Sequence, residues 1–388
     1  MSSAARTAVT VVFFASGAAY GSWVARVPSL QEGIDATKSE LGLALFGIAA
    51  GSIVMLPVAG WLVARLGSRS VALAGLVGVA VSLPLIGLAP SLLALTLAFA
   101  AFGVASATLD LAMNAHGVAV ERRSDRPILS SFHAAFSLGG LVGAAVGGIA
   151  AALGVSPLAQ LTSAAVVILG IGVWSRGHLL PGHIDAATGP VYSRPSAGLV
   201  ALAALAFAGL LAEGAAGDWS GIYLNETLAT GEGAATAAFI GFSVTMTLGR
   251  LVGDRLTSAW GAARLTRGAG LLGAAGIAAA LLSADPLVAV VGFACLGAGL
   301  STVIPTVFRA AAAAGSSAGA GIAAVSTVGY AAFLVGPPAI GVLADATSLV
   351  LALSLLVGLC ALIALLAGAT APASAPDDAL PQRRSRWP

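Results

Sequence analysis

Polar residues cut this chain into a series of long apolar runs. Read between polar or Pro/Gly breaks, the runs fall at about residues 6–27, 38–64, 70–89, 91–118, 129–153 and 156–175. A polar stretch follows at 176–196, with Pro181, Asp185 and Arg194, and six further runs cover about 197–225, 235–255, 265–284, 287–312, 318–344 and 347–369. A helix needs about 20 apolar residues to cross the hydrocarbon of a bilayer, and each run comes close to that length. The pattern predicts an all-α membrane protein of twelve transmembrane helices. The segment 370–388 is rich in Pro and Ser, ends in Arg383, Arg384 and Arg386, and reads as a disordered tail.

Six runs, a polar stretch and six runs predict an N-terminal six-helix bundle (1–175), a connector (176–196) and a C-terminal six-helix bundle (197–369). Basic residues set the orientation, because cytoplasmic loops hold the excess of Lys and Arg. With the N-terminus in the cytoplasm, sixteen basic residues fall on that side: Arg6, Arg65, Arg69, Arg122, Arg123, Arg126, Arg176, Arg194, Arg250, Arg255, Arg264, Arg267, Arg309 and the three in the tail. Only Arg26 and Lys38 fall on the other. This asymmetry predicts that both termini are cytoplasmic, since one missed helix would invert every later loop.

Composition agrees. Asp, Glu, Lys and Arg make up 9% of the chain, against roughly 25% in a soluble protein, and mean hydropathy is +0.99. The 50 glycines and many alanines suit helices that approach closely in lipid. The net charge of +2 is scattered and points to no nucleic acid. Cys295 and Cys360 each sit inside an apolar run, so no disulfide framework, metal site or cofactor is expected. The first run has no small-residue cleavage site close behind it and reads as a retained helix.

The two sets of runs share features. Gly17-Ala-Ala-Tyr-Gly-Ser-Trp23 in the first aligns, with one gap, to Gly214-Ala-Ala-Gly-Asp-Trp219 in the seventh. Gly60-Trp-Leu-Val-Ala-Arg65-Leu-Gly67-Ser-Arg69 ends the second, and Arg250-Leu-Val-Gly-Asp254-Arg255 ends the eighth. The fifth run holds Gly139, Gly140, Gly143, Gly147 and Gly148; the eleventh holds Gly336-Pro337-Pro338 and Gly341, which reads as a bend. Repeated halves suit alternating access, in which one half rocks against the other.

With these motifs the chain resembles the major facilitator superfamily. Gly60, Arg65, Gly67 and Arg69 match its Gly-x-x-x-Asp-Arg-x-Gly-Arg-Arg signature, with Ala64 and Ser68 as departures. Within it the chain is similar to the bacterial branch that includes fucose permease, through Leu109-Asp110, Asn114, Phe132-His133 with Gly139-Gly140, Asp218-Trp219 and Ile304-Pro305. The resemblance implies a central cavity lined mainly by the first, fourth, seventh and tenth helices, and transport coupled to protons. It also implies that Arg65, Arg69, Asp254 and Arg255 lock the cytoplasmic side.

Ionisable side chains inside a membrane cost roughly 2.5–3.5 kcal/mol on insertion scales, so the few present draw attention. Asp110 lies in the fourth run with Asn114 one turn on, on the same face. A carboxyl there suits a proton carrier, with Asn114 binding substrate or orienting it; an interhelical packing bond is the structural alternative. Glu213, among glycines of the seventh run, suits a proton or substrate-hydroxyl site at a helix break. His133, near the start of the fifth, is a candidate proton relay, since imidazole titrates near neutrality. Arg26 and Asp218, near outer helix ends, are candidates for a gate. Tyr20, Trp23, Trp219 and Tyr223 are candidates for stacking on substrate, against the alternative of interfacial anchors. Glu121, Arg122 and Arg123 read as a solvated loop.

No Gly-x-x-x-x-Gly-Lys-Ser/Thr segment supports ATP hydrolysis, and no enzyme chemistry is indicated. The expectation is a monomeric secondary transporter of the cell (inner) membrane that carries a small polar, sugar-like solute with protons by symport. A drug or metabolite exporter of the same fold is the alternative, although the fifth run lacks the Gly-Pro of the antiporter signature. A non-transporting membrane sensor is the third class.

Overall fold

The computed structural model describes residues 3–181, 197–230 and 236–371. The described chain is almost wholly helical: α1 (Ser3–Val24), α2 (Val27–Gly33), α3 (Lys38–Leu66), α4 (Ser68–Leu88), α5 (Leu92–Glu121), α6 (Leu129–Ala152), α7 (Pro157–Arg176), α8 (Ala197–Ile222), α9 (Ala237–Trp260), α10 (Ala262–Ser283), α11 (Pro286–Leu300), α12 (Val303–Ala314), α13 (Ala318–Ala346) and α14 (Leu349–Leu366). Most of the connector, from 182 to 196, and the tail from 372 lie outside the described residues.

Local chemistry explains where helices begin. Thr37 and Glu40 form a reciprocal capping box at α3, and Ser91, Ser156, Ser317 and Ser348 each accept the N–H three residues on. Gly67 joins α3 to α4 and Gly261 joins α9 to α10, each as a single residue at positive φ (78° and 76°), a conformation that favours glycine.

Eleven helices among the described residues, with α11–α12 taken together, are long and apolar enough to cross a membrane. The expected eighth span, α9, is a continuous 24-residue helix but carries Arg250, Asp254 and Arg255 and falls outside that set. Two expectations about helix breaks change. The seventh run stays helical through its glycines, ending in a π-turn at Tyr223–Thr227. The break comes instead in the tenth run, at Ser301–Thr302, where Gly249 and Gly253 of α9 leave room for the two side chains. Pro337 and Pro338 lie inside the unbroken α13.

The bundle is built on close pairs: α1 on α6, α3 on α5 and α13, α8 on α13, and α9 on α6 and α11. The α1–α6 pair shows what the glycines do. A Cβ on Gly17 would lie 2.0 Å from the carbonyl oxygen of Phe136, and one on Gly139 would lie 2.0 Å from that of Phe14. Backbone thus packs directly on backbone, the small-residue contact that replaces a hydrophobic drive inside lipid.

Candidate functional site

A line of polar side chains crosses the middle of the bundle. Tyr330 of α13 donates its hydroxyl to Asp110 Oδ2 of α5 at 3.0 Å. Asn114 Nδ2 donates to Asp110 Oδ1 at 3.2 Å and to its backbone oxygen at 2.8 Å, the i, i+4 geometry expected from the sequence. His133 Nε2 of α6 lies 3.1 Å from Asn114 Oδ1. Since that oxygen only accepts, the imidazole proton sits on Nε2. Asn114 is fully buried, and its amide is engaged at both ends, by Asp110 and by His133. An amide also stands between His133 and Asp110, so His133 makes no direct proton contact with the carboxylate.

Beside this line, Arg250 of α9 reaches Glu213 of α8 at 3.6 Å and donates to Ser137 Oγ of α6 at 2.7 Å. Glu213 keeps 29% of its side chain exposed, Arg250 12%. Arg250 was expected on the cytoplasmic surface; it is a mid-helix residue held by a carboxylate. Glu213 lies within electrostatic range of Tyr330 and of Tyr20, and Tyr20 also of Asp218. Tyr20 (49% exposed) and Asp218 are open to solvent or ligand.

The other aromatic candidates are packed. Trp23 is buried against Tyr20, Phe99 and Phe102, at ring separations of 5.3, 5.1 and 5.8 Å. Tyr223 is fully buried, its hydroxyl donating to the Ala280 carbonyl at 3.0 Å. Trp219 lies against Gly341 of α13. Arg26 and Asp218 are not brought together: Arg26 is 2% exposed and donates to the carbonyls of Gly147 (3.4 Å) and Val155 (2.7 Å).

One end of the bundle is tied shut. Asp254 accepts the N–H groups of Ser130 and Ser131 at 2.8 Å each, at the start of α6. Glu121 accepts those of Ile128 (2.7 Å) and Leu129 (2.9 Å) and pairs with Arg309 of α12. Arg122 donates to the Ala312 carbonyl at 2.9 Å. Glu121 is therefore a buried structural anion, not part of a solvated loop. Of the expected lock residues only Asp254 reaches across. Arg65 and Arg255 are exposed, and Arg69 donates to the Arg176 carbonyl beside it.

The ends of α3 and α9 differ in what their neighbours need. Counted back from the turning glycines, Asp254 stands seven residues before Gly261, and the residue seven before Gly67 is Gly60, not Ala64. Gly60 packs so tightly on α13 that a Cβ would fall 2.4 Å from that of Ala323. The start of α13 is capped by its own Ser317, whereas the N-cap of α6, Ile128, has no side-chain oxygen. A carboxylate thus serves at Asp254, where a close contact suffices at Gly60. His116 was not anticipated either: buried in α5, it accepts the Leu180 N–H at 3.1 Å and meets Ser68 at 2.7 Å, tying the start of the connector down.

This arrangement of helices, with charges paired across its middle, has known relatives. Residues 8–337 match the sequence profile of the Major Facilitator Superfamily. The chain belongs to that superfamily. It is a multi-pass membrane transporter. It is 34% identical to an MFS-type transporter of Yersinia pestis over 94% of each chain. It is 29% identical to the membrane protein MosC of Rhizobium meliloti over 92% of this chain and 88% of that one. Among solved structures it superposes on the superfamily transporter FucP in the outward conformation, with a TM-score of 0.75 at 15% identity, covering 94% of this chain and 98% of that one. The proton:xylose symporter XylE gives 0.75 at 13% identity, covering 94% and 95%. At such identities the likeness is one of superfamily fold.

Proposed function

We propose that this superfamily member is a proton-coupled symporter that imports a small polar, sugar-like solute across the inner membrane. In this reading α9 is the twelfth span. Residues 1–175 and 197–369 form two six-helix halves joined by the connector 176–196, the 370–388 tail and both termini are cytoplasmic, and the protein works as a monomer. The observation that carries the reading is the carboxylate of Asp110, held by a donor from each half in the middle of the bundle. Glu213 lies nearby, paired at a long distance and partly exposed. FucP is described as a fucose:proton symporter and XylE as a proton:xylose symporter, which supports the same class here.

The closed end, tied by Asp254, Glu121 and Arg309, is then the cytoplasmic one, and the cavity opens outward. Tyr20, Glu213, Asp218 and Arg250 offer an aromatic face, two acceptors and a donor, the groups that a hydroxylated solute engages. Arg26 and Asp218 remain a gate pair only for a state in which the outer end has closed.

Two measurements test the reading. Purified protein is screened by thermal shift against hexoses, pentoses, polyols, amino sugars and sugar acids at mildly acidic and mildly alkaline pH. A ligand at 100 times its Kd stabilises the bound state by about 2.7 kcal/mol. The stabilising solute, added to lightly buffered cells, makes the medium more alkaline as protons enter with it. Uptake unchanged by an uncoupler and by Asp110→Asn would rule the coupling out.

A further inference from the structure

The two oxygens of Asp110 keep different company. Oδ1 faces the Asn114 amide on its own helix. That amide cannot turn over cheaply, because its nitrogen also donates to the Asp110 backbone oxygen and its oxygen receives His133. An NH₂ group only donates, so a proton on Oδ1 would have nothing to donate to and would face another hydrogen. Oδ2 faces the Tyr330 hydroxyl, from a helix 220 residues away in the chain. A hydroxyl both donates and accepts, and it rotates to suit.

We propose that Tyr330 is the positioning residue that reads the protonation of Asp110 from the opposite side of the bundle. The ionised carboxylate accepts the Tyr330 hydroxyl in a charge-assisted bond and clamps α5 to α13. A proton from water binds Oδ2 and stays there; Tyr330 keeps its own proton and turns to accept. The charge-assisted bond is replaced by a neutral one about half as strong. Protonation thus slackens a contact between helices that must separate if one half moves against the other.

The surroundings leave few rivals. Of the elements packed on α5, α1 brings Tyr20 and the terminal Arg6, α3 and α4 carry ionisable groups only near their ends (Lys38, Glu40, Arg65 and Arg69), and α13 brings, besides Tyr330, only Asp345 next to its last residue. His133 of α6 is tied to Asn114, and Arg309 of α12 is tied to Glu121 at the end of α5 itself, where His116 meets Ser68 and the Leu180 N–H. Glu213 of α8 lies within electrostatic range of Tyr330 but is held by Arg250.

The inference rests on Asp110 as the proton site, and one experiment separates the two. Spin labels are placed at Leu88 and Leu282, exposed positions at the ends of α4 and α10. Their separation is measured by double electron–electron resonance at mildly acidic and mildly alkaline pH. The distribution of the otherwise unaltered protein shifts between the two. Tyr330→Phe, which keeps the ring against Phe333 at 6.0 Å, gives the acidic distribution at both pH values, as does Asp110→Asn, while Glu213→Gln still shifts. A Tyr330→Phe distribution that moves like the parent's overturns the inference; if Asp110→Asn also moves, the proton-site reading falls with it. A parent distribution indifferent to pH overturns the inference too. Should Tyr330→Phe fail to fold, pH-difference infrared spectra of protein with ¹³C-labelled tyrosine serve instead. The tyrosine C–O band must move in step with the Asp110 carboxyl band, and a tyrosine band constant through that titration overturns the proposal.

Discussion

Asp254 in α9 reaches across to α6 and accepts two consecutive backbone N–H groups, those of Ser130 and Ser131, one on each carboxylate oxygen. It supplies the cap that Ile128 cannot, and its charge sits where the helix dipole favours an anion. Asp254→Ala removes both bonds, a loss of about 1–2 kcal/mol for a helix cap. The closed end should open more often, by roughly tenfold for each 1.4 kcal/mol. A cysteine placed at Ser317 in a cysteine-free background should then react several-fold faster with a membrane-impermeant maleimide. An unchanged rate would show that α6 and α9 are held without Asp254.

Glu121 and Arg309 form the second tie, with side chains 10% and 23% exposed. Removing one partner strands the other as a poorly hydrated charge, which costs about 3–5 kcal/mol when burial is complete and about 2 kcal/mol at this exposure. Glu121→Gln also weakens the acceptor for Ile128 and Leu129. Thermal unfolding in detergent should show Arg309→Met and Glu121→Gln each lowering Tm, and the double variant lowering it by less than the sum. Strict additivity would mean that the pair is not coupled.

Much of this was legible beforehand, for reasons that separate cleanly. Helix positions follow from hydropathy and caps, so Thr37, Ser91, Ser156 and Ser348 mark starts that the apolar runs had already placed. The Asp110–Asn114 pair is a local i, i+4 relation and needs no tertiary knowledge. Tyr330 carries no signal of its own, and Arg250 reads only as a basic residue, because their roles depend on partners 220 and 37 residues away, Asp110 and Glu213. Arg250 was misplaced by a rule that counts basic residues near helix ends, and a mid-helix arginine with a carboxylate partner breaks it. Glu121 looked like a loop charge because nothing in its own segment shows that α6 starts without a capping side chain.

Glycine substitutions should separate close contact from mere abundance. Gly17→Ala puts a methyl group 2.0 Å from the Phe136 carbonyl, whereas Gly148→Ala meets nothing within 4 Å. Overpacking of this kind typically costs about 1–3 kcal/mol. Gly17→Ala should lower Tm and the yield of monodisperse protein, and Gly148→Ala should match the parent or exceed it slightly, since alanine favours a helix by up to about 1 kcal/mol over glycine. Equal behaviour of the two variants would mean that α1 and α6 do not meet as described.

His133 offers the sharpest distinction between carrying a proton and holding a neighbour. Its Nε2–H points at Asn114 Oδ1, and its ring is wedged between Phe13 and Phe308 at 5.4 and 6.2 Å. A relay needs a group that takes up and releases protons at the physiological range, which a glutamine side chain does not do. An orienting donor needs only an N–H of similar reach, which glutamine has. His133→Gln should therefore keep most of the pH dependence and uncoupler sensitivity of uptake. His133→Ala, which leaves Asn114 Oδ1 without its donor and the amide free to swing away from Asp110 Oδ1, should lose both and raise KM more than it changes kcat. Coupling abolished equally by glutamine and alanine, with Tm held within a few degrees of the parent, would return His133 to the proton path and take the orienting role from it.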